Sequence, residues 1–367
     1  MLDWMRRRMG ADSRPNPEAD EWRRRYESLR EQFHDEQRRD REERSRMKAQ
    51  SERRSRRIPS TISLRHAFRA RLARARDYAA TPDVISRRDA FASRTPAYVD
   101  AIHSVSSLAS QARQTIVDGL EWWVPAPPTQ SAASIERSIN KQSLPYRAIS
   151  QTRDLALGGI VLDIGGNIGA TAIPRAVLGD ARLVLCAEPD GLNYRCLVAN
   201  VVGNGLAGLV LPEQTAISDR VGTVEIARGK MPGSHRIVHA TPEPSLSVPS
   251  TTIDAWVARH GIDVRDVTFV KIDTQGSEVH VLSGASTLLA QPGVGWQVEI
   301  APGLLRMAGH EPSVLYALLQ AHFTHFIDLN ADASGPRVRE IGDLTTALAY
   351  LEHAEQLHTD VLAYRAG

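Results

Sequence analysis

Gly159-Ile-Val-Leu-Asp-Ile-Gly-Gly-Asn-Ile-Gly169 is the stretch that decides how the rest of the chain is read. Ile160, Val161 and Leu162 form a short apolar run that ends in Asp163. Gly165, Gly166 and Gly169 follow, then a helix-like stretch through Thr171, Ile173, Ala176 and Val177. Strand, tight turn and helix in that order form the ligand-binding start of an open α/β sheet. The glycines remove Cβ atoms where the backbone turns sharply and where a ligand comes close.

Beyond this stretch, strand and helix signals alternate, which predicts a mostly parallel sheet. Strands are expected at 160–163, 182–188, near 209–212, 267–273, 295–300, near 323–329 and toward 364. Helices are expected at 192–202, up to His260, at 277–290, near 311–321 and from about 343. Segments 221–226 and 236–239 suit an antiparallel pair. A proline-rich loop (Pro242, Pro244, Pro249) is expected after them.

Upstream, 115–125 reads as a hairpin around Asp118-Gly119. Helical patterns split by Pro82 and Pro96 precede it, and 131–157 reads as a helix leading into the central strand. Trp122 and Trp123 are expected in the core, with lining of a substrate site as the alternative. The expected division is a charged arm at 1–57, a cap at 58–150 and a nucleotide-type domain at 151–367. The arm is rich in Arg, Glu, Asp and Gln. Trp22, Tyr26, Leu29 and Phe33 form a seam of under two heptads. The first reading of the arm is a solvated, partly disordered helix. The second is a short coiled coil for homodimerisation or partner docking through residues 20–57.

Composition narrows the function. The chain has 367 residues, 42% of them hydrophobic, and a net charge of +2. The basic excess lies in the arm, so the folded body is mildly acidic and lacks a nucleic-acid footprint. Cys186 and Cys196, the 2 cysteines, imply neither a disulfide framework nor a zinc site. They read as core residues, and His322 and His325 read as structural. His235 and His239 have helical metal-ligand spacing, but the prolines nearby favour surface histidines on a strand or loop. No apolar run reaches the roughly 20 residues of a membrane span, and no apolar region follows the basic start. A cytoplasmic location is the expectation.

Asp163 and Glu188 end the first two strands. An acid at the tip of the second can accept hydrogen bonds from ribose hydroxyls, as in dinucleotide enzymes. Those enzymes need G-x-G-x-x-G, whereas here position 167 is Asn and the outer glycines are one residue closer. Asp163 would repel a pyrophosphate but suits an α-ammonium group. The pattern therefore points to S-adenosylmethionine. Expected cofactor-binding residues are Asp163, Gly165, Gly166, Asn167, Gly169, Glu188, Pro189 and Asp190. Ala216 and Ser218, after the third strand, complete the set.

Lys271 and Asp273 point to the same side at the carboxyl end of the fourth strand, because strand side chains alternate. Glu278 opens the next helix, where it can lie against backbone N–H groups. Methyl transfer to a hydroxyl needs alignment, worth up to roughly 7–11 kcal/mol, and removal of a proton, worth about 10²–10⁴-fold. Asp273 is the first candidate base and Glu278 the second, with Lys271 beside them. Alternatively, Asp273 binds the methionine end or caps a turn, with Lys271 simply paired to it. Asp273, Glu299 and Asp254 could instead gather a divalent cation such as Mg²⁺.

Asp163-Ile-Gly-Gly-Asn-Ile-Gly169, Glu188-Pro-Asp190, Thr252-Ile-Asp254, Lys271-Ile-Asp-Thr-Gln-Gly-Ser-Glu278, Val281-Leu-Ser-Gly-Ala285 and Glu299 resemble the FkbM-type methyltransferases. Thr359-Asp-Val-Leu-Ala363 is similar to that family's last strand. The resemblance spans about 115–365; Thr274-Gln275 departs from the usual small or acidic pair. It implies a class I, Rossmann-like α/β fold with a mostly parallel seven-stranded sheet, to which this chain is expected to add an N-terminal helical cap and the charged arm, the arm having no counterpart in the family. It also implies O-methylation of a hydroxyl on a small molecule, sugar, glycolipid or secondary metabolite. The alternatives are a nucleic-acid methyltransferase, disfavoured by the missing Pro-Pro-aromatic turn, and a non-catalytic S-adenosylmethionine-binding scaffold. A dehydrogenase is disfavoured by the glycine spacing.

Overall fold

The computed structural model describes residues 61–126, 146–227, 236–238, 245–330, 337–353 and 357–365. The arm, His235 and His239, Pro242 and Pro244 lie outside the described residues. Every described residue belongs to one compact unit, Arg57–Gly367.

Helices α1 (Thr61–Ala79), α2 (Pro82–Ala92) and α3 (Pro96–His103) come first, and Pro82 and Pro96 each open a helix at its first turn. A hairpin follows, β1 (Ala112–Val117) paired antiparallel with β2 (Leu120–Pro125). Asp118 (φ 56°) and Gly119 (φ 85°) turn it in the left-handed region. Then come α4 (Tyr146–Ala156), β3 (Gly159–Ile164), α5 (Ala172–Leu178), β4 (Ala181–Ala187), α6 (Gly191–Gly203) and β5 (Val210–Glu213).

A smaller sheet interrupts the alternation. It is built from β6 (Ala216–Ile217), β7 (Gly222–Ala227), β8 (Arg236–Val238) and β9 (Ser245–Thr251), in the order β6-β9-β7-β8. The antiparallel pairing of β7 with β8 is the expected one. β9 corrects the reading of its segment as loop. Pro249 is tolerated there, opposite Thr223 of β7.

The chain returns through α7 (Ile253–Arg259), β10 (Val267–Ile272), α8 (Glu278–Ser283), α9 (Ser286–Leu289), β11 (Gly295–Ile300), α10 (Pro302–Met307), α11 (Pro312–His322), β12 (His325–Asp328), β13 (Val338–Glu340), α12 (Leu344–Ala347) and β14 (Thr359–Tyr364). The single helix expected at 277–290 is thus two short ones, and α10 and β13 are additions.

The main sheet has the order β13-β12-β14-β11-β10-β3-β4-β5. β5, β4, β3, β10 and β11 run parallel, and β14 enters antiparallel between β11 and β12. These are the seven expected strands, with short β13 added at one edge. β3 and β11 are buried along their whole length, as strands covered on both faces must be. On one face Ile160, Leu162 and Ile164 pack with Tyr98, Trp256 and Trp296. On the other, Val161 shares a core with Phe68, Leu72, Trp122 and Ile173. The cap segment therefore supplies residues to both faces of the sheet.

Two polar devices support this packing. Asn200 on α6 and Asn204, which caps its C-terminus one turn on, bind the backbone of β2. Asn200 Nδ2 donates to the carbonyls of Trp123 (3.1 Å) and Ile168 (2.9 Å), while its Oδ1 accepts from Trp123 N–H. Asn204 does the same for Glu121. The hairpin edge, which water would otherwise have to satisfy, is satisfied by amides. On the second face, Arg175 and Asp180 form a fully buried pair at 3.2 Å. Arg175 Nη2 also donates to Thr152 Oγ1 at 2.7 Å, and the guanidinium lies 4.2 Å from the Phe269 ring centroid.

Candidate active site

The chain builds outward from β3 through β4 to β5, then crosses back to place β10 on the other side of β3. The crevice beyond the carboxyl ends of β3 and β10 is therefore the switch point where open sheets bind ligands. Asp163 and Lys271 are register partners across it.

The glycine loop leaves β3 here. Gly165 (φ 81°), Asn167 (φ 49°) and Gly169 (φ 92°) all take left-handed conformations. The glycines are required by the protein's own atoms. A Cβ on Gly165 would lie 1.8 Å from the Asp273 carbonyl oxygen, and one on Gly166 would lie 2.1 Å from Cys186 Sγ.

Glu188 is the loop's anchor. Its Oε2 accepts from Asn167 N–H at 2.8 Å and its Oε1 from Asp190 N–H at 2.9 Å. Burial pushes its pKa up to about 7, with these hydrogen bonds working the other way. Pro189 follows directly, and Asp190 caps α6 by accepting from Leu192 and Asn193 N–H. Ala216 is buried in the small sheet with Val224, Ile226 and Val248. Ser218 is buried, with its N–H on the Thr251 carbonyl and its hydroxyl on Asp219 at 3.1 Å. No described contact ties Ala216 or Ser218 to the glycine loop.

Asp163 is different. It is fully buried, and among the described residues neither carboxylate oxygen has a hydrogen-bond partner. Lys271 Nζ stands 3.7 Å from its Oδ1. Burial raises its pKa, and Lys271 and Arg175 offset that only in part.

Lys271 Nζ donates to Asp273 Oδ2 at 3.1 Å. Burial opposes the lysine charge, but Asp273, Asp163 and Asp360 outweigh it and raise its pKa. Asp273 feels the same burial, yet Lys271 holds it below the usual carboxylate range. The Asp273 side chain keeps 33% of its exposure, against 1% for Asp163. Asp273 is thus the acid that reaches solvent.

Gln275 (φ 56°) was not expected at the site. Its Nε2 donates to Asp273 Oδ1 and to Glu299 Oε2, each at 3.1 Å. Glu299 lies opposite Asp360 of β14. Burial, then Asp273, Glu278 and Asp360, push Glu299 well above its ordinary pKa. Asp360 is raised as well, by burial and then by Asp273. Both residues lie within the quoted motifs, but nothing in the pattern marks either as a site residue, since only pairing of β14 with β11 brings Asp360 near Lys271.

Glu278 is spent on the turn before it. Its Oε1 accepts from Thr274 N–H (2.9 Å), Thr274 Oγ1 (3.0 Å) and Gly276 N–H (3.2 Å), and the residue is buried. Asp254, Asp273 and Glu299 do not gather around one point. Asp254 instead caps α9, accepting from Thr287 N–H at 2.7 Å and Leu288 N–H at 3.1 Å. Among the described residues no group of three His, Cys, Asp or Glu side chains is placed to hold a metal.

Trp122 is fully buried, in keeping with a core role. Cys186 and Cys196 are buried too, and burial pushes both thiols up, Cys196 to about 12. His325 stacks on Tyr364, and the His322 carbonyl accepts from Arg365. No described helix is long and apolar enough to cross a membrane.

Residues 163–332 match the family model described as the methyltransferase FkbM domain. No curated protein matches the chain. Among solved structures it is similar to methyltransferase FkbM from Methylobacillus flagellatus KT, at 14% identity and TM-score 0.32, covering 72% of this chain and 59% of that one. It is also similar to M. jannaschii TYW2 in complex with AdoMet, at 14% identity and TM-score 0.33, covering 70% and 87%. A third is the C-terminal domain of precorrin-6Y C5,15-methyltransferase from Rhodobacter capsulatus, at 14% and 0.32, covering 60% and 89%.

Proposed function

Because residues 163–332 make this chain an FkbM-type methyltransferase, we propose that it binds S-adenosylmethionine at the β3–β10 switch point and methylates a hydroxyl of a small-molecule or carbohydrate acceptor. The carrying observation is Asp163, a buried carboxylate at the tip of the central strand whose oxygens accept no close hydrogen bond and whose ion-pair partner, Lys271, stands off at 3.7 Å. Leaving such a group unmatched costs about 1–3 kcal/mol or more. A cationic ligand group relieves that cost, and an α-ammonium is one.

The residues present fit the cosubstrate. Asp163 takes the ammonium, and the glycine loop, shaped by Gly165, Asn167 and Gly169 and tied down by Glu188, forms the floor. The remaining lone pairs of Glu188 accept from the ribose. When bound, S-adenosylmethionine supplies a sulfonium methyl group.

Asp273 orients the acceptor hydroxyl and takes its proton. Lys271 keeps Asp273 ionised, which favours holding the hydroxyl and weakens the base at the same time. Gln275 fixes the Asp273 carboxylate from the other side. Glu278 holds the 274–276 turn on which Gln275 sits, and so acts as a positioning residue. The acidic body and the turn at 274–276 favour this acceptor class over a nucleic acid.

Calorimetry with S-adenosylhomocysteine tests the cofactor assignment. Asp163→Ala removes a charged hydrogen bond worth about 1.5–3 kcal/mol and should weaken binding roughly tenfold to a hundredfold. Asp273→Asn should leave the affinity within about twofold. Equal affinities for the native chain and Asp163→Ala would sink the assignment.

A further inference from the structure

A second cluster lies outside these residues. His280, in the first turn of α8, and His310, between α10 and α11, bring their Nε2 atoms within 3.0 Å. The ring planes are inclined by 67° and the centroids are 4.7 Å apart. Asp219, just after β6, lies behind His280 with its Oδ2 3.4 Å from Nδ1.

A straight N–H···N hydrogen bond of that length would hold the ring centroids more than about 5 Å apart. The ring axes are therefore bent off the line joining the nitrogens. Two imidazoles on one cation at about 2.0–2.1 Å, with nitrogens this close, subtend about 95° and place their centroids about 4.7 Å apart. That angle belongs to neighbouring positions of a six-coordinate or square arrangement, and is tighter than a tetrahedral one.

The backbone sets this geometry. A Cβ on Gly276 would lie 2.4 Å from the Leu304 carbonyl oxygen, and one on Gly284 would lie 2.2 Å from the Ser218 carbonyl oxygen. These contacts press the segments carrying His280, His310 and Asp219 together without help from the side chains. Asp219 has a second anchor, the Ser218 hydroxyl at 3.1 Å. A carboxylate on the far nitrogen of a ligating histidine fixes its tautomer and orientation.

We propose that His280 and His310 chelate a divalent first-row transition cation, with Asp219 as the carboxylate that orients His280 and with water in the remaining positions. Imidazole ligands select a transition cation over Mg²⁺ or Ca²⁺, and an angle near 95° selects Ni²⁺, Cu²⁺ or Fe²⁺ over tetrahedral Zn²⁺. The two histidines are the protein's whole contribution, in keeping with the absence of any three-ligand group among the described residues.

Titration of the tag-free full-length chain with NiCl₂ by calorimetry tests this. One equivalent should bind with micromolar affinity. His280→Ala and His310→Ala should each weaken that site at least tenfold, and Asp219→Asn should weaken it about tenfold or more. MgCl₂ should not compete. Thermal melting in EDTA identifies a variant that has merely unfolded. His310→Gln, which keeps the bulk and a polar edge, separates ligation from packing. Binding that survives in His310→Gln, that is equal in all variants, or that is missing from the native chain would overturn the proposal.

Discussion

The glycine loop and the Lys271 cluster both carry acids at strand ends, and they treat those acids in opposite ways. Glu188 is matched internally: each oxygen accepts a backbone N–H of the chain itself. Asp163, Asp273, Glu299 and Asp360 crowd around Lys271 instead, and Asp163 is left with no hydrogen bond. The loop's acid finds its donors within the chain. The cluster has an excess of negative charge in a buried place, which a cation arriving from outside would relieve. Shape recognition belongs to the first region and charge recognition to the second.

Gly165→Ala should break the comparison most, because the two regions touch there. The new methyl would meet a backbone carbonyl at 1.8 Å at a φ of 81°. Overpacking and the left-handed conformation together cost about 4 kcal/mol. Urea unfolding should show that loss, and a loss under about 1 kcal/mol would mean that the loop and the 273–275 turn can separate.

Lys271→Ala comes next. It leaves Asp163 and Asp273 without their cation, at about 3 kcal/mol, the low end for a broken buried pair because Asp273 keeps a third of its exposure. The loss should shrink at acid pH, where both acids are protonated. A pH-independent loss would point to packing of the lysine stem.

The most gradual effect, smallest at any one pH step, concerns Glu188. Its folded pKa is raised from 4.5 to about 7. The folded chain therefore holds this proton longer than the unfolded one. The contribution is fully present below pH 4.5 and is lost as pH rises through about 7, with a slope on the order of 1 kcal/mol per pH unit. Glu188→Gln should flatten that slope in a series of denaturation curves. An unchanged slope would assign it to Glu299 or Asp360.

Much of this architecture is legible in the residues alone. A wholly buried parallel strand tends to be continuously apolar, as 160–162 and 183–187 are, whereas 295–300 carries Gln297 and Glu299 among its apolar residues. The site acids are legible for a related reason: a charged residue directly after such a run can only stand at the strand end. β9 was hidden because Pro249 and the serines around it read as loop, while its partners on β7, from Ala227 opposite Ser245 to Gly222 opposite Ser250, are distant in sequence. The split of 277–290 into α8 and α9 was hidden because Gly284 presses on Ser218, a contact that local periodicity does not register.

By itself, then, the sequence determined the order of strands and helices, the glycine turn and the acids that crown β3, β4 and β10, since each follows from neighbours within a few residues. Only the tertiary structure decided what those acids do. Glu188 became a backbone anchor, Glu278 a turn brace and Asp254 a helix cap, while Asp163 was left with Lys271 at 3.7 Å and no close hydrogen bond. A carboxylate's role depends on which donors reach it, and those donors come from strands and turns far away in the chain. The convergence of Asp219, His280 and His310 has the same origin, because three separate segments meet only once the sheet has formed.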